Sequence, residues 1–212
     1  MNRLAIVQEY AKQQLAQDQT GHDYAHVSRV AHWAKVILET DYPTADPFIT
    51  LSAAYVHDVI DDKVVCDVDT AKQSLRHFLT TVATENECQL IFDIIEHMSF
   101  SANLTVKQKL SIEGQIVQDA DRLDALGAYG ILRTAYYGGS HGHPIYDENI
   151  KVNLTQDKAT YRKGTTVINH FYEKLFLLID QMNTPTGKKE AQRRERFMNE
   201  FLTEFYHELD FD

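Results

Sequence analysis

Apolar residues recur along this chain at intervals of three and four, and the strict alternation expected of half-buried strands is not seen. Leu4, Ile6, Val7, Ala11 and Leu15 predict an amphipathic helix over residues 2–18 that stops near Thr20-Gly21. A second helix, Asp23 to Glu39, follows from Ala25, Val27, Val30, Ala31, Trp33, Ala34, Ile37 and Leu38; it carries His26 in its first turns and closes at Asp41-Tyr42-Pro43-Thr44. A third, roughly Asp46 to Val59, delivers His57 and Asp58 at its C-terminal end. Residues 69–82 (Ala71, Leu75, Phe78, Leu79) and 86–97 (Leu90, Ile91, Ile94, Ile95) give two more, and a polar connection leads to a helix beginning near Thr105 or Val106. From Leu110 through Val117 to Leu126, Ile131 and Leu132 the pattern is broadly helical, with Asp121 inside it.

The stretch Gly138-Gly139-Ser140-His141-Gly142-His143-Pro144 is too rich in glycine and proline to continue a helix and is expected as an irregular loop. Two long helices follow, about Thr165–Met182 and Lys189–His207, amphipathic through Val167, Phe171, Leu175, Leu178 and Ile179, then Phe197, Phe201 and Phe205. Their mixed charges favour core helices over helices lying on a membrane surface. The expected fold is all-α, one domain over residues 1–212, with about eight to ten helices.

Composition changes this picture little. The 212 residues, 43% hydrophobic with only 9 Gly and 4 Pro, suffice for one core and suit long helices. No signal peptide is visible at Met1-Asn2-Arg3-Leu4-Ala5, and no run reaches the ~20 apolar residues of a membrane span. Cys66 and Cys88 form no Cys-x-x-Cys pair and read as free thiols of a cytoplasmic protein, a disulfide between them being the alternative. A net charge of −10 argues against a nucleic-acid polymer as partner. The densest basic run, Lys188-Lys189 with Arg193, Arg194 and Arg196, is interleaved with Glu190 and Glu195 as on a solvated helix face. A small anionic substrate stays compatible, because a bound cation reverses the potential within a site.

Candidate chemistry centres on Tyr55-Val56-His57-Asp58-Val59-Ile60-Asp61-Asp62-Lys63. An imidazole and a carboxylate at the end of an apolar run are costly to bury unless they are paired or hold a cation. Further ligand types stand in Gly21-His22-Asp23-Tyr24-Ala25-His26 and in Val117-Gln118-Asp119-Ala120-Asp121-Arg122-Leu123-Asp124-Ala125. Together with Tyr137-Gly138-Gly139, these segments resemble the HD-domain phosphohydrolases, helical metal-dependent hydrolases, and specifically a bacterial branch with the Gly-His-Asp start and the Val-Gln-Asp-Ala-Asp-Arg-Leu-Asp-Ala segment. The resemblance runs from about Gly21 to about Tyr206 and implies an HD-type helical bundle.

It also implies metal ligands at His26, His57, Asp58 and Asp121. Asp119 is the rival for the fourth place; residues two apart on a helix diverge by about 200°, so the two aspartates do not easily share an ion, and Asp124 is better placed behind Asp121. An N₂O₂ set suits one divalent transition metal, Mn, Fe, Co, Ni or Zn, better than Ca, and a second divalent ion arriving with the substrate is compatible. Such an ion lowers the pKa of bound water and polarises a phosphoryl oxygen. By the same resemblance Asp61 and Asp62 position or deprotonate water, Asp62 also fitting a general acid; the bland reading is a capped, hydrated turn. Arg29, Lys63 and Arg122 are candidate phosphate contacts, each also explicable as a salt bridge to a neighbouring Asp, and His22 and His97 are candidates that also read as structural histidines.

The implied activity is hydrolysis of a small phosphorylated substrate, a nucleotide for preference, at a phosphoester or pyrophosphate bond. Tyr129, Tyr136 and Tyr137 with the following glycines offer a wall for a base or sugar, or pack in the core. The alternative function is a non-catalytic metal- or nucleotide-binding sensor domain; the presence of Asp61 and Asp62 favours the enzyme.

Overall fold

A computed structural model describes residues 2–18, 21–62, 64–103, 108–154 and 165–209. Among them every regular element is helical and no strand occurs. The chain divides into two compact units, Met1–Asp121 and Arg122–Asp212.

The first unit contains α1 (Arg3–Gln14), α2 (Tyr24–Asp41), α3 (Pro47–Val56), α4 (Val68–Leu79), α5 (Glu85–His97), a 3₁₀ turn at Ser101–Asn103, and most of α6 (Ile112–Asp124). Five of these starts carry a side-chain cap. Asn2, Asp23, Asp46 and Asp67 each accept a backbone N–H of the first turn, and Thr84 and Glu87 form a reciprocal capping box. Each cap satisfies donors the helix cannot, typically worth about 1 kcal/mol.

α3 is the central helix. It packs on α1, α2 and α5, and Ile49, Thr50, Ser52, Ala53, Ala54 and Val56 are all buried. A helix apolar on every side has to lie inside, and the small Ala53 and Ala54 let its neighbours approach. Around it Val7, Ala11, Val27, Val30, Ala34, Ile37, Leu75, Leu79, Ile91 and Ile95 complete the core. α6 joins α5 through Gln118 Nε2, which donates to the Met98 carbonyl at 2.8 Å.

The second unit holds α7 (Gly127–Ser140), α8 (Val167–His170), a π-helical turn (Phe171–Leu175), α9 (Phe176–Asp180) and α10 (Pro185–Leu209). α7 and α9 both pack on α10.

Four expectations need correction or qualification. The helix start near Thr105 falls at residues 104–107, outside the described residues, while 108–111 are not helical and α6 begins at Ile112. The run from Leu110 to Leu132 is two helices, because the chain turns at Ala125-Leu126 and Gly127 takes φ 76°, a left-handed value that breaks the register. The glycines at 138 and 139 continue α7 to Ser140; Gly138 serves close packing, since a Cβ there would come within 2.6 Å of Val167 Cγ2. On α10 the buried positions are Gly187, Ala191, Met198 and Leu202, so Phe197, one position off that stripe, is 44% exposed. The basic run on the same helix is solvated only in part: Arg193 is exposed and donates to Glu190, whereas the Arg194 side chain is 13% exposed and donates to Glu190 and to the Leu123 carbonyl.

Candidate metal centre

Three segments of the first unit bring their polar ends together. On α2, Asp23 accepts the His26 N–H at 2.9 Å, which fixes the backbone of the histidine at the helix start and turns its ring inward with Val27 and Val30. α3 stops at Val56, and tight turns follow, Val59 N–H donating to Val56 and Asp61 N–H to Asp58, each at 3.1 Å. His57 is thereby the C-cap residue, and its Nδ1 lies 2.9 Å from the Ala54 carbonyl. A carbonyl can only accept, so Nδ1 carries the proton, and in the neutral ring Nε2 presents a lone pair. α6 supplies Asp121.

The distances describe one cluster. His26 Nε2 and His57 Nε2 are 3.3 Å apart. Asp58 places Oδ2 3.2 Å from His26 Nε2 and Oδ1 3.4 Å from His57 Nε2. Asp121 Oδ1 lies 3.4 Å and 3.7 Å from the same two nitrogens. The ligand atoms of His26, His57 and Asp58 all fall within 4.8 Å of one another. Donors bonded at about 2.1 Å to a tetrahedral ion stand about 3.4 Å apart, so these side chains already have the spacing of a coordination shell.

Electrostatics point the same way. His26, His57 and Asp58 are 1%, 8% and 5% exposed, whereas the Asp121 side chain is 33% exposed and forms the solvent side. Burial opposes the Asp58 charge, yet the charges of His57 and then His26 outweigh it and hold the carboxyl well below its ordinary range. Asp121 is likewise depressed, burial being outweighed by the His26 and His57 rings. Burial would lower His57, but Asp58 and Asp121 raise it. The cluster therefore draws positive charge inward. Even so, Asp58 Oδ2 is fully buried and accepts no hydrogen bond, its 3.2 Å approach to His26 lacking the required alignment. A buried ionised oxygen without a donor is expensive, and an inserted cation is what this donor set fits: two imidazoles and two carboxylates suit a first-row divalent ion.

The other candidates distribute unevenly. His22 precedes α2, yet its ring meets His26 edge-on at 6.1 Å. Arg29 lies half-buried on α2. Asp61 is half-buried and Asp62 exposed in the turn after the cluster; Lys63 lies outside the described residues. Asp119 is fully buried. Arg122 is buried with its guanidinium donating to the carbonyl and side chain of Gln181. Asp124 pairs with Arg133 at 2.8 Å, which is the partner its burial requires. His97 is exposed, with Nδ1 2.7 Å from the Asp93 carbonyl. Tyr129 and Tyr136 are 48% and 59% exposed, so they are not core residues, and Tyr137 stacks on His141 at 3.9 Å. Sequence reasoning missed the Ala54 carbonyl that sets the His57 tautomer, because a backbone carbonyl carries no mark in the sequence.

A model of the HD domain matches residues 23–126. The Bacillus subtilis (strain 168) protein YpgQ is 38% identical over 201 residues, spanning 92% of this chain and 88% of YpgQ. Among solved structures, a protein of Lactobacillus plantarum superposes with a TM-score of 0.90 at 43% identity, covering 99% of this chain and 98% of that one. YpgQ crystallised in complex with ADP gives 0.78 at 32% identity, covering 99% and 96%. An HD-superfamily hydrolase of Bacillus thuringiensis gives 0.74 at 36% identity, covering 99% and 97%. Among the described residues no helix is long and apolar enough to cross a membrane.

Proposed function

This chain belongs to the HD-domain family, and from that premise we propose that it is a metal-dependent phosphohydrolase acting on a nucleotide at a phosphoester or phosphoanhydride bond. The observation that carries the reading is the buried cluster of His26, His57 and Asp58 closed by Asp121, with Asp58 Oδ2 accepting no hydrogen bond. In this reading those four side chains hold one divalent first-row ion. Bound there, such an ion makes water a stronger acid and polarises a phosphoryl oxygen.

The chain's own residues do the rest. The Ala54 carbonyl keeps the His57 proton on Nδ1 and so keeps Nε2 basic toward the cluster. Apolar neighbours exclude water from behind the histidines, while Asp121 stands on the open side where substrate enters. Asp61 and Asp62, in the turn that leaves the cluster, take the proton from the attacking water and return one to the leaving oxygen. Preference for a nucleotide is supported by the ADP complex of YpgQ, which is similar to this chain over nearly its whole length.

The test is release of inorganic phosphate and pyrophosphate from a nucleotide panel by manganese-loaded protein. We expect turnover of at least one nucleotide that chelation abolishes. Absence of hydrolysis of every nucleotide and of simple phosphoesters would overturn the catalytic reading.

A further inference from the structure

We propose that His22 is the side chain that receives the substrate phosphate at this site, donating an imidazole N–H to a phosphoryl oxygen without joining the ligands of the ion; this rests on the hydrolase reading above.

The sequence Gly21-His22-Asp23-Tyr24-Ala25-His26 at first suggests two histidines one helical turn apart on a common face. The structure places them together by a different device. α2 starts at Tyr24 with Asp23 as its cap, so His22 stands outside the helix. Its backbone is set by the turn at Gly21, φ 90°, and by Asp18, whose Oδ2 accepts the His22 N–H at 2.8 Å. The result is an imidazole resting edge-to-face on His26, with 6.1 Å between centroids and 80° between planes.

Two observations separate its role from that of the other histidines. The ligand atoms that gather within 4.8 Å of one another belong to His26, His57 and Asp58, Asp121 Oδ1 stands 3.4 and 3.7 Å from the two imidazole nitrogens, and His22 meets this set at the His26 ring, 6.1 Å between centroids. It is also half-exposed, where His26 and His57 are buried, so of the three imidazoles in contact it is the one a solute meets. A phosphate drawn to the cluster from solvent passes an N–H donor held at a fixed angle, and donors of this kind to charged oxygens are the stronger class of hydrogen bond.

The other candidate phosphate contacts are differently placed: Arg29 lies half-buried on α2, and Lys63 falls outside the described residues. Arg122 donates to Gln181, and His97 is exposed with its Nδ1 on the Asp93 carbonyl.

The experiment measures binding without turnover. Manganese-loaded wild type, His22→Ala and His22→Gln are titrated calorimetrically with α,β-methylene-ADP and with inorganic pyrophosphate, and metal content and circular dichroism are recorded for each. His22→Ala should keep its metal equivalent and its helicity while binding the analogue about 10- to 100-fold more weakly. His22→Gln, which retains an N–H donor, should recover part of that loss. Unchanged affinity in a metal-replete His22→Ala would overturn the proposal, and so would loss of the ion, which would make His22 a support of the metal instead. Failure of wild type to bind either compound would overturn this proposal, whereas the hydrolase reading falls only if the nucleotide panel is also not hydrolysed, so the two failures are distinguishable.

Discussion

In the N-terminal unit, His26, His57 and Asp58 are buried in a cluster that leaves Asp58 Oδ2 without a donor. The C-terminal unit also buries charge, but there Arg122 donates to Gln181, Asp124 accepts from Arg133 at 2.8 Å, and Glu173 accepts the Asn153 N–H at 2.8 Å. Burial is similar in the two sets; satisfaction is not. Paired groups of the second kind are what a core demands of any charge it encloses. A set whose donors converge on one point and still leave an ionised oxygen over is arranged for something that is not part of the chain. The contrast shows why burial by itself is a poor marker of a functional site, and why the accounting of partners is a better one.

The largest effect should come from removing a member of the unsatisfied set. His57→Ala is expected to lose the divalent ion and to lower turnover by more than about 10³-fold, since an ion of this kind supplies several kcal/mol of charge stabilisation. Thermal denaturation gives an independent readout: wild type should gain roughly 2.7 kcal/mol at a metal concentration 100 times the Kd, and the variant should gain nothing. A folded His57→Ala protein that retains a full equivalent of metal would erase the distinction between the two regions.

Asp62→Asn sharpens it from the other side. An exposed residue of the following turn should leave metal content unchanged while kcat falls roughly 10²–10⁴-fold, the ordinary contribution of one proton-transfer group, with KM nearly unaltered. Wild-type kcat would return Asp62 to a hydrated turn, and loss of the ion would move it among the ligands.

In the satisfied set the expected loss is in stability. Asp124→Ala strips a partly buried guanidinium of its partner, and with Arg133 about one-fifth exposed the cost should be about 2–3 kcal/mol in denaturant unfolding. A loss below about 0.5 kcal/mol would show that this pair is not needed by the fold.

Much of this was legible beforehand because helical periodicity and ligand order are local properties. Asp23 and Asp46 read as helix starts, and His26, His57, Asp58 and Asp121 stand in sequence as they gather in space. What sequence did not reveal depends on tertiary partners. Gly138 looked like a helix breaker because its reason, the approach of Val167, lies 29 residues on in the numbering. Arg122 looked free for phosphate or for an aspartate, since Gln181 is 59 residues away. Phe197 looked like core because apolar character does not say which stripe of a long helix is covered; Met198 and Leu202 are the buried ones. The tautomer of His57 hangs on a backbone carbonyl, which every residue possesses and no sequence pattern distinguishes.

The smallest effect tests whether an unpartnered atom is always a sign of function. Ser52 Oγ, on α3 and therefore in the same buried helix that leads to His57, also has no hydrogen-bond partner. Unlike the Asp58 carboxylate it is neutral. Its orphaned hydroxyl is then simply a cost, and Ser52→Ala should remove that cost while improving helix propensity, leaving stability unchanged or raised by up to about 1 kcal/mol. Metal content and turnover should not move. Destabilisation by more than about 1 kcal/mol would mean that the hydroxyl does have a partner, a buried water being the natural one. A change in metal binding would extend the site one turn further back along α3 than the geometry of His57 and Asp58 requires.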